Sequence, residues 1–132
     1  MGIINYYNIS HAEVFVFDDF LIKQVKEGVK IDLQETEELK LILREHFKDK
    51  NMAYISNRVT SYSVNPLVYK EVEKMSNLAA IAIIPKDETM RQSAEFEKQF
   101  FNKPFEIFEN LTEAIDWVKK IISSKNNEVL AS

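Results

Sequence analysis

Leu78-Ala79-Ala80-Ile81-Ala82-Ile83-Ile84 (LAAIAII, residues 78–84) is apolar at every position and is closed by Pro85. Seven residues are few for a helix. Unbroken apolarity, with no polar residue at alternate positions, is what a strand covered on both faces requires, as in the middle of a parallel sheet. The flanks agree. Asn65-Pro66 opens a helix, with Asn as cap and Pro in the first turn, where its missing N–H costs nothing. Val68, Val72 and Met75 form its buried stripe, and Asn77 is placed to end it in a left-handed turn. Beyond Pro85, Asp87 caps a further helix running through Met90, Ala94, Phe96, Phe100 and Phe101 until Asn102-Lys103-Pro104 breaks it.

Outward from this strand the same grammar repeats. Met52–Asn57 is a short strand. Before it, Asp32 with Glu35 three residues on makes a capping box, and Leu39, Ile42, Leu43, His46 and Phe47 recur on one helical face that ends near Asp49. Val14–Phe17 and Phe20–Val25 flank Asp18-Asp19 as a hairpin, and Tyr6, Tyr7 and Ile9 mark an additional β-prone segment. After the break, Phe105–Glu109 is a strand. Asn110 with Glu113 then opens the last helix, whose stripe is Leu111, Ala114, Ile115, Val118, Ile121 and Ile122. Alternating strand and helix imply parallel strands joined by right-handed crossovers. The expectation is an α/β domain with a mixed sheet: an N-terminal β-hairpin, then right-handed βα units, mostly parallel strands and four helices.

Composition narrows the function classes. With 132 residues the chain has the length of one domain, and residues 1–132 are read as one, with a polar tail over 123–132. At 45% hydrophobic and 29% charged it has apolar side chains enough for one core without a staple. There is no cysteine, which removes disulfides, thiolate nucleophiles and Cys-ligated metal. The net charge of −4, without any basic run, argues against nucleic acid. The longest apolar run is 78–84, too short for a membrane span. The N-terminus shows no basic region followed by an apolar one, so the expected compartment is cytoplasmic.

No catalytic constellation is visible. His11 and His46 are the two histidines, with no ligand at metal spacing beside them, so no metal is expected. His46 reads as a boundary residue with one hydrogen bond. Two glycines, at 2 and 28, cannot build a phosphate-cradling loop, and no cofactor is expected. The segment Ser56–Asn65 (SNRVTSYSVN) leaves the C-terminal end of a strand and runs into a helix N-terminus, where open α/β sheets place ligand contacts. Asn57, Arg58, Ser61, Ser63 and Asn65 are therefore the candidate partner- or ligand-binding residues, with Ser63 and Ser61 as candidate phosphoacceptors. The ordinary alternative is a polar surface loop. Phe96, Phe100 and Phe101 cannot all share one stripe with Met90 and Ala94, which makes them a candidate exposed apolar surface; simple core packing is the alternative.

Several phrases carry a resemblance. Glu27-Gly28-Val29-Lys30-Ile31 leads from the hairpin to an acidic helix, and Ser56-Asn57-Arg58-Val59-Thr60-Ser61 follows a strand. Asn102-Lys103-Pro104 and FENLTEAIDWVKK (residues 108–120) come later. Together, over about residues 13–122, the chain resembles the small bacterial STAS-like (SpoIIAA-like) proteins. The resemblance implies a non-enzymatic regulatory module that binds a protein partner; a homodimer is the other expected form of partner. It implies a switch by phosphorylation at the start of the second helix, where Ser61 or Ser63 stands. The glycines and aspartate of that family's phosphosite are not present here. A related likeness to CRAL-TRIO or SEC14 lipid carriers implies a small apolar ligand instead, and an enzyme of unrecognised type ranks third.

Overall fold

The computed structural model describes residues 2–131, and the side chains of residues 2–128. Its frame is a six-stranded sheet. In chain order the elements are β1 (Asn5–Asn8), β2 (Ala12–Val16), β3 (Phe20–Val25), β4 (Lys30–Ile31), α1 (Leu33–Phe47), β5 (Met52–Asn57), β6 (Ser63–Val64), α2 (Val68–Val72), β7 (Leu78–Ile84), α3 (Glu88–Lys98), β8 (Phe105–Ile107) and α4 (Leu111–Ala131). The sheet order is β1-β2-β3-β5-β7-β8, and β4 pairs with β6 in a separate two-stranded ribbon. β1 and β2 are antiparallel, whereas β3, β5, β7 and β8 run parallel.

From β3 onward each crossover steps the same way across the sheet. Connections of one hand then put their helices on one face. That face carries one core, in which Leu39, Leu43, Val68, Val72, Ala94 and Phe101 pack on Leu21, Met52, Ile81 and Ile83. The opposite face is closed by α4, where Ala114, Val118 and Ile122 meet Phe20, Ile22, Ala53, Ile55, Ala80 and Ala82. β7 is buried along all seven residues, between β5 and β8, because both layers cover it. The reading of 78–84 as an interior parallel strand holds.

The caps form as the residues dictate. The Asp32 and Glu35 side chains close a capping box on α1, Asp87 accepts from the Met90 N–H at 2.9 Å, and Asn110 accepts from that of Glu113 at 2.9 Å. Four details differ from expectation. First, α2 begins at Val68, not at Asn65-Pro66, because the Asn65 N–H is held by the Ile31 carbonyl (2.9 Å) as the β4–β6 ribbon ends. The Asn65 side chain still accepts from the Leu67 N–H. Second, Asn77 adopts no left-handed conformation. Among the described residues only Gly28 has a positive φ (75°), and the Asn77 amide instead donates to the Phe47 carbonyl at 2.7 Å. Third, α3 stops at Lys98, so Phe100 and Phe101 lie in the turn after it. Fourth, α4 continues through 123–131, where a polar tail was expected.

Candidate functional site

Side chains at alternate positions of a strand share one face. On β3 that places Leu21, Lys23 and Val25 under α1; on β5 it places Met52, Tyr54 and Ser56 beside them. The register puts Lys23 against Ser56 and Leu21 against Tyr54. Arg58 continues the alternation just past β5 and is turned inward, 3% exposed. The face under α1 and α2 thus carries a polar row inside an apolar core.

The row closes on α3. The Arg58 guanidinium forks onto the Glu97 carboxylate, Nη2 to Oε1 at 2.6 Å and Nη1 to Oε2 at 2.9 Å, and Glu97 is itself 4% exposed. The Tyr69 hydroxyl, from α2, donates to the same Glu97 oxygen. Arg58 Nε reaches Ser56 Oγ at 3.4 Å, Ser56 Oγ meets the Tyr62 hydroxyl at 2.9 Å, and the guanidinium lies 5.4 Å from the Tyr62 ring centroid. Two-pronged pairing is how a carboxylate and a guanidinium best offset the cost of leaving water. Burial pulls the Arg58 cation down, but its hydrogen bonds to Glu97, with the charge interactions of Tyr62, Tyr69 and Glu97, outweigh it and hold the guanidinium above its ordinary value. Desolvation first, and Glu97 next, push Tyr69 far up, so its phenol stays a donor.

Between this row and the helices lies a cavity of about 40 Å³. Its sheet side presents Lys23, Tyr54 and Ser56. Its helix side presents Leu39 and Leu43 from α1 and Val68 and Val72 from α2, with Thr36 and Tyr69 beside them. Lys23 is 2% exposed. Burial lowers its pKa to about 8 from the ordinary 10.5, against an upward pull from Glu35 and Glu38. Burial also lowers His11, with Lys23 adding to the effect; His11 Nδ1 stands 3.1 Å from Glu38. Drug-sized ligands need roughly 300 Å³ or more, so this cavity is too small for the lipid that the carrier reading expects. Neither histidine lines it. His46 has the single hydrogen bond expected of it, with the Tyr7 hydroxyl at 2.6 Å.

The remaining sequence candidates spread over three environments. Arg58 faces the interior and is no part of an exposed docking loop, because Glu97 and the phenols provide it a better-satisfied site than water. Asn57 is half-buried at the end of β5. Ser61 is exposed, its N–H on the Glu27 carboxylate at 2.6 Å and its carbonyl on the Gly28 N–H at 2.8 Å. Asn65 bridges to Asp32 at 3.2 Å. Ser63 is exposed on β6, in register with the exposed Lys30. Of the three phenylalanines, Phe101 belongs to the core (5% exposed) and Phe100 is half-buried; Phe96 alone stands out, at 54%. Phe101 is therefore removed from the apolar surface, since the turn after α3 folds it back against Tyr69 and Phe105.

Ser63 and Phe96, 33 residues apart in the chain, line one open groove of about 430 Å³ between β6 and α3, with Thr89, Gln92 and Ser93 along α3 and Tyr62 and Glu97 also lining it. Lys23, Tyr54, Tyr69 and Glu97 went unnoticed in the sequence. A signal for Lys23 was present: in FLIKQV it falls in the alternation with Leu21 and Val25, an inward position where lysine is anomalous. Glu97 offered none, being one acid among several on a helix.

Among the described residues no group of three or more His, Asp or Glu is placed to hold a metal, and no helix is long and apolar enough to cross a membrane. No protein-family model and no curated protein matches the chain. Among solved structures, it is similar to an uncharacterised protein of the DUF3478 family with a SpoIIAA-like fold, from Shewanella loihica PV-4. The TM-score is 0.53 at 14% identity, over 86% of this chain and 90% of that one. The fold is SpoIIAA-like. At that identity the likeness speaks for architecture alone, and function has to be argued from this chain's own residues.

Proposed function

We propose that this SpoIIAA-like chain is a non-enzymatic cytoplasmic module that docks a protein partner through the groove between β6 and α3, with Ser63 as the phosphoacceptor that switches docking. The observation that carries this is the convergence of an exposed serine and an exposed phenylalanine on one groove. An aromatic anchor beside adaptable polar groups is the composition of a binding hot spot. Ser63 is favoured over Ser61 by its neighbours. A phosphate on Ser63 would have the Lys30 ammonium beside it in register, whereas Ser61 sits against the Glu27 carboxylate, which repels added negative charge. The non-enzymatic reading is supported by Arg58 and Glu97 satisfying one another rather than facing a substrate.

The test is quantitative affinity capture with wild type, Phe96→Glu and Ser63→Glu, each first shown to melt as wild type does. A protein enriched by wild type, lost with Phe96→Glu and altered in enrichment by Ser63→Glu is the expected result; a second copy of this chain in that role would make the module a homodimer. Identical capture profiles for wild type and Phe96→Glu would refute the assignment.

A further inference from the structure

Lys23 is the group that the groove does not use. It is a cation with 2% of its surface exposed, lining a cavity, and no acceptor reaches it by hydrogen bond or ion pair among the described residues; Glu35 and Glu38 act on it only through space. A buried ammonium has three N–H groups to satisfy, and leaving them bare in an apolar interior is strongly unfavourable. Whatever occupies the cavity must provide acceptors. The neighbouring strand adds Tyr54, a cavity-lining phenol that burial keeps neutral and hence able to donate. The other cation of the row, Arg58, is already paired with Glu97, so the cavity offers one ammonium without a hydrogen-bonded counter-charge. Across from it stands an aliphatic patch of Leu39, Leu43, Val68 and Val72, bordered by Thr36 and Tyr69.

We propose that the cavity beneath α1 and α2 binds a short-chain alkyl monocarboxylate, its carboxylate on the Lys23 ammonium and its alkyl group against Leu39, Leu43, Val68 and Val72. Three features of the site select this class. One free cation matches one negative charge and leaves a dicarboxylate or a phosphate dianion with an unpaired charge in the core. The aliphatic patch of Leu39, Leu43, Val68 and Val72 rewards an alkyl group. The volume of about 40 Å³ holds roughly three water-sized groups, which suits a propionate-sized acid and excludes a long acyl chain. The cavity shares Tyr62 and Val64 with the wall of the protein-docking groove, but the ligand assignment does not rest on the docking reading.

The experiment is a titration of the full chain, followed by amide chemical shifts, with sodium propionate, sodium succinate and sodium chloride at matched ionic strength. Propionate should give saturable shifts around the cavity, and succinate and chloride should not. Lys23→Met, which keeps the volume and removes the charge, should weaken propionate at least tenfold, as loss of one partner of a buried charge pair does. Leu39→Trp, which fills the cavity and keeps the lysine, should abolish the response. If Leu39→Trp fails to fold, the Lys23→Met arm decides. No saturable propionate response in wild type, undiminished affinity in Lys23→Met, or succinate binding as tightly as propionate overturns the proposal.

Discussion

The two faces of the central sheet are made by the same strands and differ in kind. Under α4 the surface is hydrocarbon: Phe20, Ile22, Ala53, Ile55, Ala80 and Ala82 against Ala114, Val118 and Ile122. Under α1, α2 and α3 it carries Lys23, Tyr54, Ser56 and Arg58 bordering a cavity, with Arg58 tied to Tyr69 and Glu97. Adjacent residues on one strand, Ile22 and Lys23, face these two environments. The alternation of a strand lets a chain make one face for cohesion and the other for recognition without adding an element. Aliphatic packing on the α4 side contributes stability in proportion to the area buried. The polar row gives up part of that in exchange for fixed donors and acceptors.

The comparison can be broken most severely by moving a charge to the dry face. Ile22→Lys places an ammonium among aliphatic side chains with no acceptor and no cavity, and should cost about 4–5 kcal/mol, read as collapse of the urea-unfolding midpoint. A variant that melts near wild type would show that the α4 face is wetter than its contacts imply. Next in size, Arg58→Met leaves the Glu97 carboxylate buried without its counter-charge, with the Tyr69 hydroxyl still donating to it. The expected loss is roughly 3–5 kcal/mol, and Arg58→Met with Glu97→Leu should recover much of it, because the double change removes both charges. A double variant no more stable than the single one would place the cost in packing rather than charge.

Lys23→Met sharpens the contrast in the opposite direction, since it makes the polar row more like the dry face. The folded-state pKa of Lys23 is about 8 and its ordinary value is 10.5. Between those values the unfolded chain holds the proton more tightly than the native one. The burden of the buried ammonium is therefore complete below about pH 8, lifts as pH rises toward 10.5, and is gone above it. Removing the amine should raise stability by about 3 kcal/mol near neutrality, with the gain shrinking as unfolding is repeated toward pH 10. A gain that does not vary with pH would attribute the effect to methionine packing.

How much of this was legible depends on the range of each interaction. The hairpin, the caps of α1, α3 and α4, the amphipathic helices α1 and α4 and the double-faced burial of 78–84 are local patterns, and these stand where their residues place them, whereas α2 and the end of α3 do not. The ribbon of β4 and β6 was not legible, because two residues carry no periodicity and Lys30-Ile31 pair with Ser63-Val64 across the whole of α1 and β5 in the chain. That ribbon delays the start of α2 to Val68. Of the candidate site, the Ser56–Asn65 segment was rightly located at the C-terminal end of a parallel strand. The side on which Arg58 lies was not, since an arginine in a polar stretch looks solvated until its partner is known.

The amino-acid sequence alone determined the alternation of strands and helices, the caps of α1, α3 and α4, and which strand lies between two layers, because backbone geometry with periods of 2 and 3.6 residues imposes these within a few positions. The tertiary structure alone decided that Arg58 meets Glu97 39 residues away, that Ser63 shares a groove with Phe96, and that Lys23 faces a cavity rather than water. Each of those depends on which helix the crossovers lay over which strand, and that is a property of the packed chain as a whole.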